Sequence, residues 1–144
     1  MILADEQATE ALGAAIAARL RPGDVITLSG PLGVGKTALA RGLLVELGHD
    51  GEVPSPSFAI VQPYEAIDPP VWHVDLYRLE NPSEIDELGV DDAAEGVLLV
   101  EWPERAGEQA WPNALRLSLE FAEGGARRLT AQVPPSWEGR WPAR

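Results

Sequence analysis

The chain has no cysteine among its 144 residues. A disulfide framework, a zinc ribbon and a cysteine nucleophile are therefore excluded, and the redox compartment stays open. Positive charge is scarce: 11 Lys and Arg stand against 23 Asp and Glu, a formal net charge of −12. That balance argues against a chain-wide basic surface for nucleic acid. Lysine is scarcest, because ten of the basic residues are arginine and only Lys36 is not. No apolar run approaches the roughly 20 residues of a membrane span. The start, Met1 to Glu6, lacks the basic region and long apolar core of a signal peptide. A cytoplasmic location without membrane association is the expectation.

What is there fits one domain of ordinary size over residues 1–133. Pro134 to Arg144 reads as an irregular Pro/Trp-rich tail. Ala8, Ala11, Leu12, Ala15, Ile16 and Leu20 recur at helical spacing, with Asp5 as N-cap and Arg21-Pro22-Gly23 as a stop. Val25 to Ser29 reads as a buried strand, and residues 36–47 as a second helix ending at Gly48. Most of the 13 prolines fall after Val53 and suggest short strands and turns there. Residues 53–56 form a loop, because neither Pro54 nor Pro56 fits a sheet interior. Residues 58–61 and 71–76 read as strands joined by the Asp68-Pro69-Pro70 turn, as in an antiparallel pair. Residues 81–84 open a short acidic helix, and Val97 to Val100 is a buried strand. Residues 115–121 and 128–133 flank Gly124-Gly125 as a C-terminal β-hairpin.

Between the first strand and the second helix lies Gly30-Pro31-Leu32-Gly33-Val34-Gly35-Lys36-Thr37. This is a complete G-x-x-x-x-G-K-[ST] phosphate loop in its required strand–loop–helix setting. Gly30, Gly33 and Gly35 let the backbone N–H groups of the loop, through Val34 to Ala38, turn toward phosphate oxygens. The helix N-terminus aims its positive dipole end at the same anion. Lys36 is expected on the β and γ phosphates, and the Thr37 hydroxyl on Mg2+. The G-x-G-x-x-G dinucleotide fingerprint is absent, since Ala38 takes the third position. The guanine-reading Asn-Lys-x-Asp motif needs a second lysine, so exclusion favours adenine.

Phosphate-loop enzymes place an acid at the end of a buried strand. Asp75 and Glu101 both end such strands. If both strands neighbour the loop-bearing strand, both carboxylates reach the sheet's carboxyl edge, where α/β folds hold ligands. A natural division puts Asp75 at the metal and Glu101 at the attacking water, but spacing alone does not assign the two. His73 shares the strand face of Asp75 and is expected to be a hydrogen-bond partner rather than a catalyst. Ser55 and Ser57 admit two readings, turn chemistry or a hydroxyl that senses the γ-phosphate. Trp102 either packs at the site mouth or closes the core.

Four segments, in order, resemble the TsaE (YjeE) family of bacterial ATPases needed for tRNA threonylcarbamoyladenosine synthesis. They are Gly30 to Thr37, Ser55 to Phe58, His73-Val74-Asp75-Leu76-Tyr77-Arg78-Leu79, and Leu99 to Glu104. Glu84, Glu87, Leu88 and Gly89 fit as well. The resemblance implies an α/β fold: a P-loop NTPase with a central mixed β-sheet flanked by helices. It implies slow, partner-dependent hydrolysis of ATP to ADP with Mg2+. The implied partners are the TsaD and TsaB proteins, which perform the threonylcarbamoyl transfer, with little or no direct tRNA binding by this chain alone. Lys36 and Thr37 then serve phosphates and metal, Asp75 is the Walker B acid, and Glu101 is the other essential acid. Ser57 stands near the metal, and Trp102 near the nucleotide. The family's usual Ser-Pro-Thr-Phe-Thr is Ser55-Pro56-Ser57-Phe58-Ala59 here, so one hydroxyl is kept and one lost. The basic C-terminal end common in relatives is replaced by residues 137–144.

A small-molecule kinase using the same phosphate loop is the alternative. Such kinases add a closing lid with arginines, and this chain has no long insertion to build one.

Overall fold

A computed structural model describes residues 1–53, 61–79, 95–107 and 110–141. The elements are β1 (Ile2–Leu3), α1 (Glu6–Ala17), β2 (Val25–Ser29), α2 (Lys36–Glu46), β3 (Val61–Tyr64), β4 (Val71–Asp75), β5 (Val97–Glu101), β6 (Leu115–Phe121) and β7 (Arg127–Gln132). The strands form one seven-stranded sheet in the order β1-β7-β6-β2-β5-β4-β3. Pairing is parallel for β6–β2–β5–β4 and antiparallel at both flanks, so this is a mixed sheet in an α/β fold.

The sequence patterns explain most of these elements. Asp5 caps α1 by accepting a 2.8 Å bond from the Ala8 N–H, a contribution of about 1 kcal/mol. The buried stripe of α1 is Thr9, Leu12, Gly13, Ile16 and Ala17, while Ala11 is exposed. Leu12 and Ile16 keep their expected places, with Ala8 and Leu20 packed at the margin, and the stripe is turned toward Thr9, Gly13 and Ala17. Small residues set it, because α1 packs closely on α2. An added Cβ at Gly42 would overlap the backbone of Glu10.

The expected pair around Asp68-Pro69-Pro70 is present as antiparallel β3–β4. Pro63 lies inside β3, which is an edge strand, and an edge position tolerates the missing donor. Residues 58–60 and the expected helix at 81–84 lie outside the described residues. The C-terminal hairpin is present as β6–β7, turning at Glu123–Gly125. The two residues of β1 carry no period to read, and they pair antiparallel with Arg127 and Arg128 of β7.

One face of the sheet meets α1 and α2 around Ile26, Leu28, Leu99, Leu115 and Leu117. The tail packs on this same core. It carries a 3-10 turn at Pro135–Trp137, with Trp137 buried. Arg140 is nearly buried as well, and pairs with both carboxylate oxygens of Asp24 at 2.8 and 3.0 Å. It also donates to the Arg19 carbonyl at 2.9 Å. The tail thus clasps the turn between α1 and β2. Among the described residues, no helix is long and apolar enough to cross a membrane.

The close α1–α2 approach is testable. Gly42→Ala should lower stability by about 1–3 kcal/mol, as overpacking does, seen as a lower urea midpoint. An unchanged midpoint would show that the helices stand further apart.

Candidate functional site

The site begins at the C-terminal end of β2. The chain leaves Ser29, turns through Gly30 to Gly35, and enters α2 at Lys36. Gly35 is the N-cap of α2 with φ 116°, a conformation that other residues rarely adopt. That turn leaves the first N–H groups of α2 without a capping side chain, open to an anion.

Asp75 and Glu101 come together as the sheet directs. In the parallel β4–β5 pair, Asp75 stands opposite Glu101, and Glu101 stands opposite Leu28 of β2. Directly paired residues share a face. Only Glu101 is on a strand adjacent to the loop-bearing β2. Asp75 lies one strand further out, because β6 occupies the other side of β2. Backbone bonds pin this edge: Trp102 N–H donates to the Leu28 carbonyl at 3.2 Å, and Leu76 N–H to the Glu101 carbonyl at 3.1 Å. Asp75 Oδ1 accepts the Tyr77 N–H at 2.8 Å. Both carboxylates are nearly buried, at 5% and 3% exposure.

Gly33, Gly35, Lys36, Thr37, Ala38, Asp75, Glu101 and Trp102 all line one cavity of about 340 Å³. Val34 faces the other way: its side chain is buried in the core, and only its backbone belongs to the loop. Gly30 contributes its carbonyl. Ser55 and Ser57 lie outside the described residues.

Lys36 is held inside the loop. Its Nζ donates to the Gly30 carbonyl at 2.5 Å and sits 3.7 Å from the Trp102 ring centroid. A cation over an indole contributes about 0.5–2 kcal/mol. Burial pushes the Lys36 ammonium below its usual pKa range, and Glu101, Asp75 and Glu104 pull it back up. Trp102 is half-buried, and its backbone takes the left-handed conformation at φ 59°, which is costly for a bulky residue. Its ring leans on Tyr77 at 4.9 Å and joins the apolar cluster behind β4 and β5. Trp102 therefore fills both roles considered for it, site mouth and core closure.

Oxygen ligands and a lysine suit a phosphate accompanied by a hard cation. Among the described residues, no group of three or more His, Cys, Asp or Glu could hold a metal unaided. Mg2+ is usually held by one or two carboxylates together with substrate phosphates. The Thr37 hydroxyl, Asp75 and Glu101 are oxygen donors of the kind such a cation takes alongside a phosphate.

Sequence reasoning missed four neighbours. Glu6, Leu32 and Arg41 line the same cavity, with Arg41 bonded to Glu6 at 3.1 Å and Glu10 at 3.3 Å. Arg127 of β7 donates through Nε to the Val34 carbonyl at 2.7 Å, its guanidinium 4.8 Å from the Phe121 ring centroid. Leu32 lies at an unspecified position of the phosphate-loop motif, and no local pattern marks the other three.

The family model for threonylcarbamoyl adenosine biosynthesis protein TsaE matches residues 3–129. The tRNA threonylcarbamoyladenosine biosynthesis protein TsaE of Streptomyces coelicolor is 42% identical over 135 residues, covering 90% of this chain and 91% of that one. The Bacillus subtilis protein of the same name is 39% identical over 124 residues, covering 85% of this chain and 77% of its own. The crystal structure of Bacillus subtilis YdiB matches with a TM-score of 0.82 at 31% identity, over 97% of this chain and 88% of that one.

The Arg127 tie gives a direct test. Arg127→Met should speed amide hydrogen exchange across residues 33–37, because the bond to the Val34 carbonyl is lost. Exchange at the wild-type rate would mean that the loop holds its shape without β7.

Proposed function

The chain belongs to the TsaE family of tRNA threonylcarbamoyladenosine biosynthesis proteins, and from that premise we propose that it is a Mg2+-dependent P-loop ATPase acting on the TsaB–TsaD transferase complex. The observation that carries the reading is the convergence of Lys36, Thr37, Asp75 and Glu101 on one cavity at the N-terminus of α2. Each residue type has a place in phosphoryl transfer, which is mostly positioning and charge stabilisation.

The free N–H groups at the start of α2 bind the phosphate oxygens. Lys36 leaves the Gly30 carbonyl and the Trp102 face to meet the β and γ phosphates. The Thr37 hydroxyl and Asp75 would hold Mg2+, and the resemblance offers the Ser57 hydroxyl as a further oxygen. Mg2+, when bound, offsets negative charge on the phosphates. Glu101 orients the water that attacks the γ-phosphate and accepts its proton. The buried Asp75 and Glu101 bring two negative charges together, a favourable arrangement once a cation and Lys36 share the cavity. Hydrolysis is slow and depends on partners. The net charge of −12 suits contact with the TsaB and TsaD proteins and leaves tRNA contact to them.

The test separates binding from turnover. Lys36→Ala should abolish ATP binding, and unchanged affinity would sink the site assignment. Glu101→Gln should keep ATP binding while hydrolysis, measured with TsaB and TsaD present, falls by about 10²-fold or more. If Asp75→Asn shows that pattern instead, the two carboxylates exchange roles. Phosphate transfer to a small acceptor rather than to water would favour a kinase.

A further inference from the structure

His73 lies on β4, two residues before Asp75, and its side chain is fully buried. Its Nε2 is 2.7 Å from Glu101 Oε2. Its Nδ1 is also buried, with no hydrogen-bond partner among the described residues. A neutral imidazole carries one ring proton, and a carboxylate can only accept. With that proton on Nε2, it is donated to Glu101, and the bare Nδ1 leaves no N–H orphaned. With it on Nδ1, a buried N–H is orphaned and two lone pairs oppose each other at 2.7 Å. Orphaned buried N–H groups are rare because each costs its full desolvation. The arrangement therefore selects the Nε2–H form.

We propose that His73 is a positioning residue for the ATPase reaction: its Nε2–H ties down Oε2 of Glu101 and leaves Oε1 as the oxygen offered to the nucleotide cavity. This rests on the ATPase reading above and adds a residue to it. Two features support the tie. The pair is buried on both sides, at 0% and 3% exposure, so water does not compete for the bond. Glu101 also stands opposite a second carboxylate, Asp75, and a hydrogen bond donated to Glu101 holds its side chain in one rotamer beside that neighbour. An oxygen held this way meets a reacting water at a set angle, whereas an untied carboxylate would turn about its own side-chain bonds.

The test compares amides of different reach in the full-length protein with TsaB and TsaD. A Gln side chain places its N–H where Nε2 stands, and Asn places its N–H nearer the Nδ1 position. His73→Asn should slow single-turnover hydrolysis of saturating Mg2+-ATP by about tenfold or more, with Mg2+-ADP affinity within about threefold of wild type. His73→Gln should recover most of the rate. In a Glu101→Gln background, His73→Asn should cause no further loss. Equal rates for Asn and Gln, an equal loss in both backgrounds, or a matching loss of Mg2+-ADP affinity would each overturn the proposal. Long-range 15N spectra of the wild-type imidazole provide an arm independent of turnover. They should report a proton on Nε2, and a proton on Nδ1 alone would overturn the tie. Wild-type protein that shows the Nε2 proton but hydrolyses no ATP would count against the ATPase reading and leave the tie intact.

Discussion

The parallel register of β4 and β5 is the constraint on which the site depends. It sets Asp75 opposite Glu101, with His73 opposite Leu99 and Val71 opposite Val97. A slip of β4 by one residue would turn Asp75 to the other face of the sheet, away from Glu101. The register is held because Val71, Val97 and Leu99 must face α1 and α2, while Val74, Leu98 and Val100 face the opposite cluster. Hydrophobic burial on both faces thus fixes where two charges sit. Neither charge needs to contribute to folding for this to work.

The second support comes from the C-terminal hairpin. β6 takes the open side of β2, and β7 brings Arg127 to the Val34 carbonyl. The phosphate loop is therefore held from two sides, by the β5 edge through Trp102 and by the hairpin through Arg127. Lys36 lies between, bonded to the loop's own Gly30 carbonyl and covered by the Trp102 ring. In this arrangement the only lysine of the chain is already inside the cavity, and a bound phosphate need draw it only a short way. Trp102 also binds the site to the apolar cluster behind the sheet, so the site mouth and the core share one side chain.

Much of this was legible in the sequence, and the reasons differ by residue. Lys36 was legible because a phosphate loop is local: strand, glycines, lysine and helix lie in one short stretch. Asp75 and Glu101 were legible as ends of apolar runs, though not that Asp75 lies one strand beyond β5. Strand order depends on β6, which is distant in sequence. The fixing of the Glu101 side chain by His73 and the tie from Arg127 to Val34 join residues 28 and 93 positions apart. No period or motif encodes such pairings. The buried stripe of α1 was placed only in part for a related reason: close helix packing brings Thr9 and Gly13 into it, and a search for apolar residues passes over both. In the tail, Trp137 and Arg140 read as irregular chain until the Asp24 carboxylate and the core are placed beside them.

The acidic balance and the lone lysine now belong to one picture. Carboxylates dominate the chain, three of them line the cavity, and the lysine is reserved for the point where phosphate would meet them. The most direct measurement is calorimetric titration of the full-length protein with ATP, with and without Mg2+, and with GTP as the competitor. The account predicts one nucleotide per chain, tighter binding with Mg2+ and a preference for ATP. Absence of binding with Mg2+ present, or equal affinity with and without the metal, would contradict it.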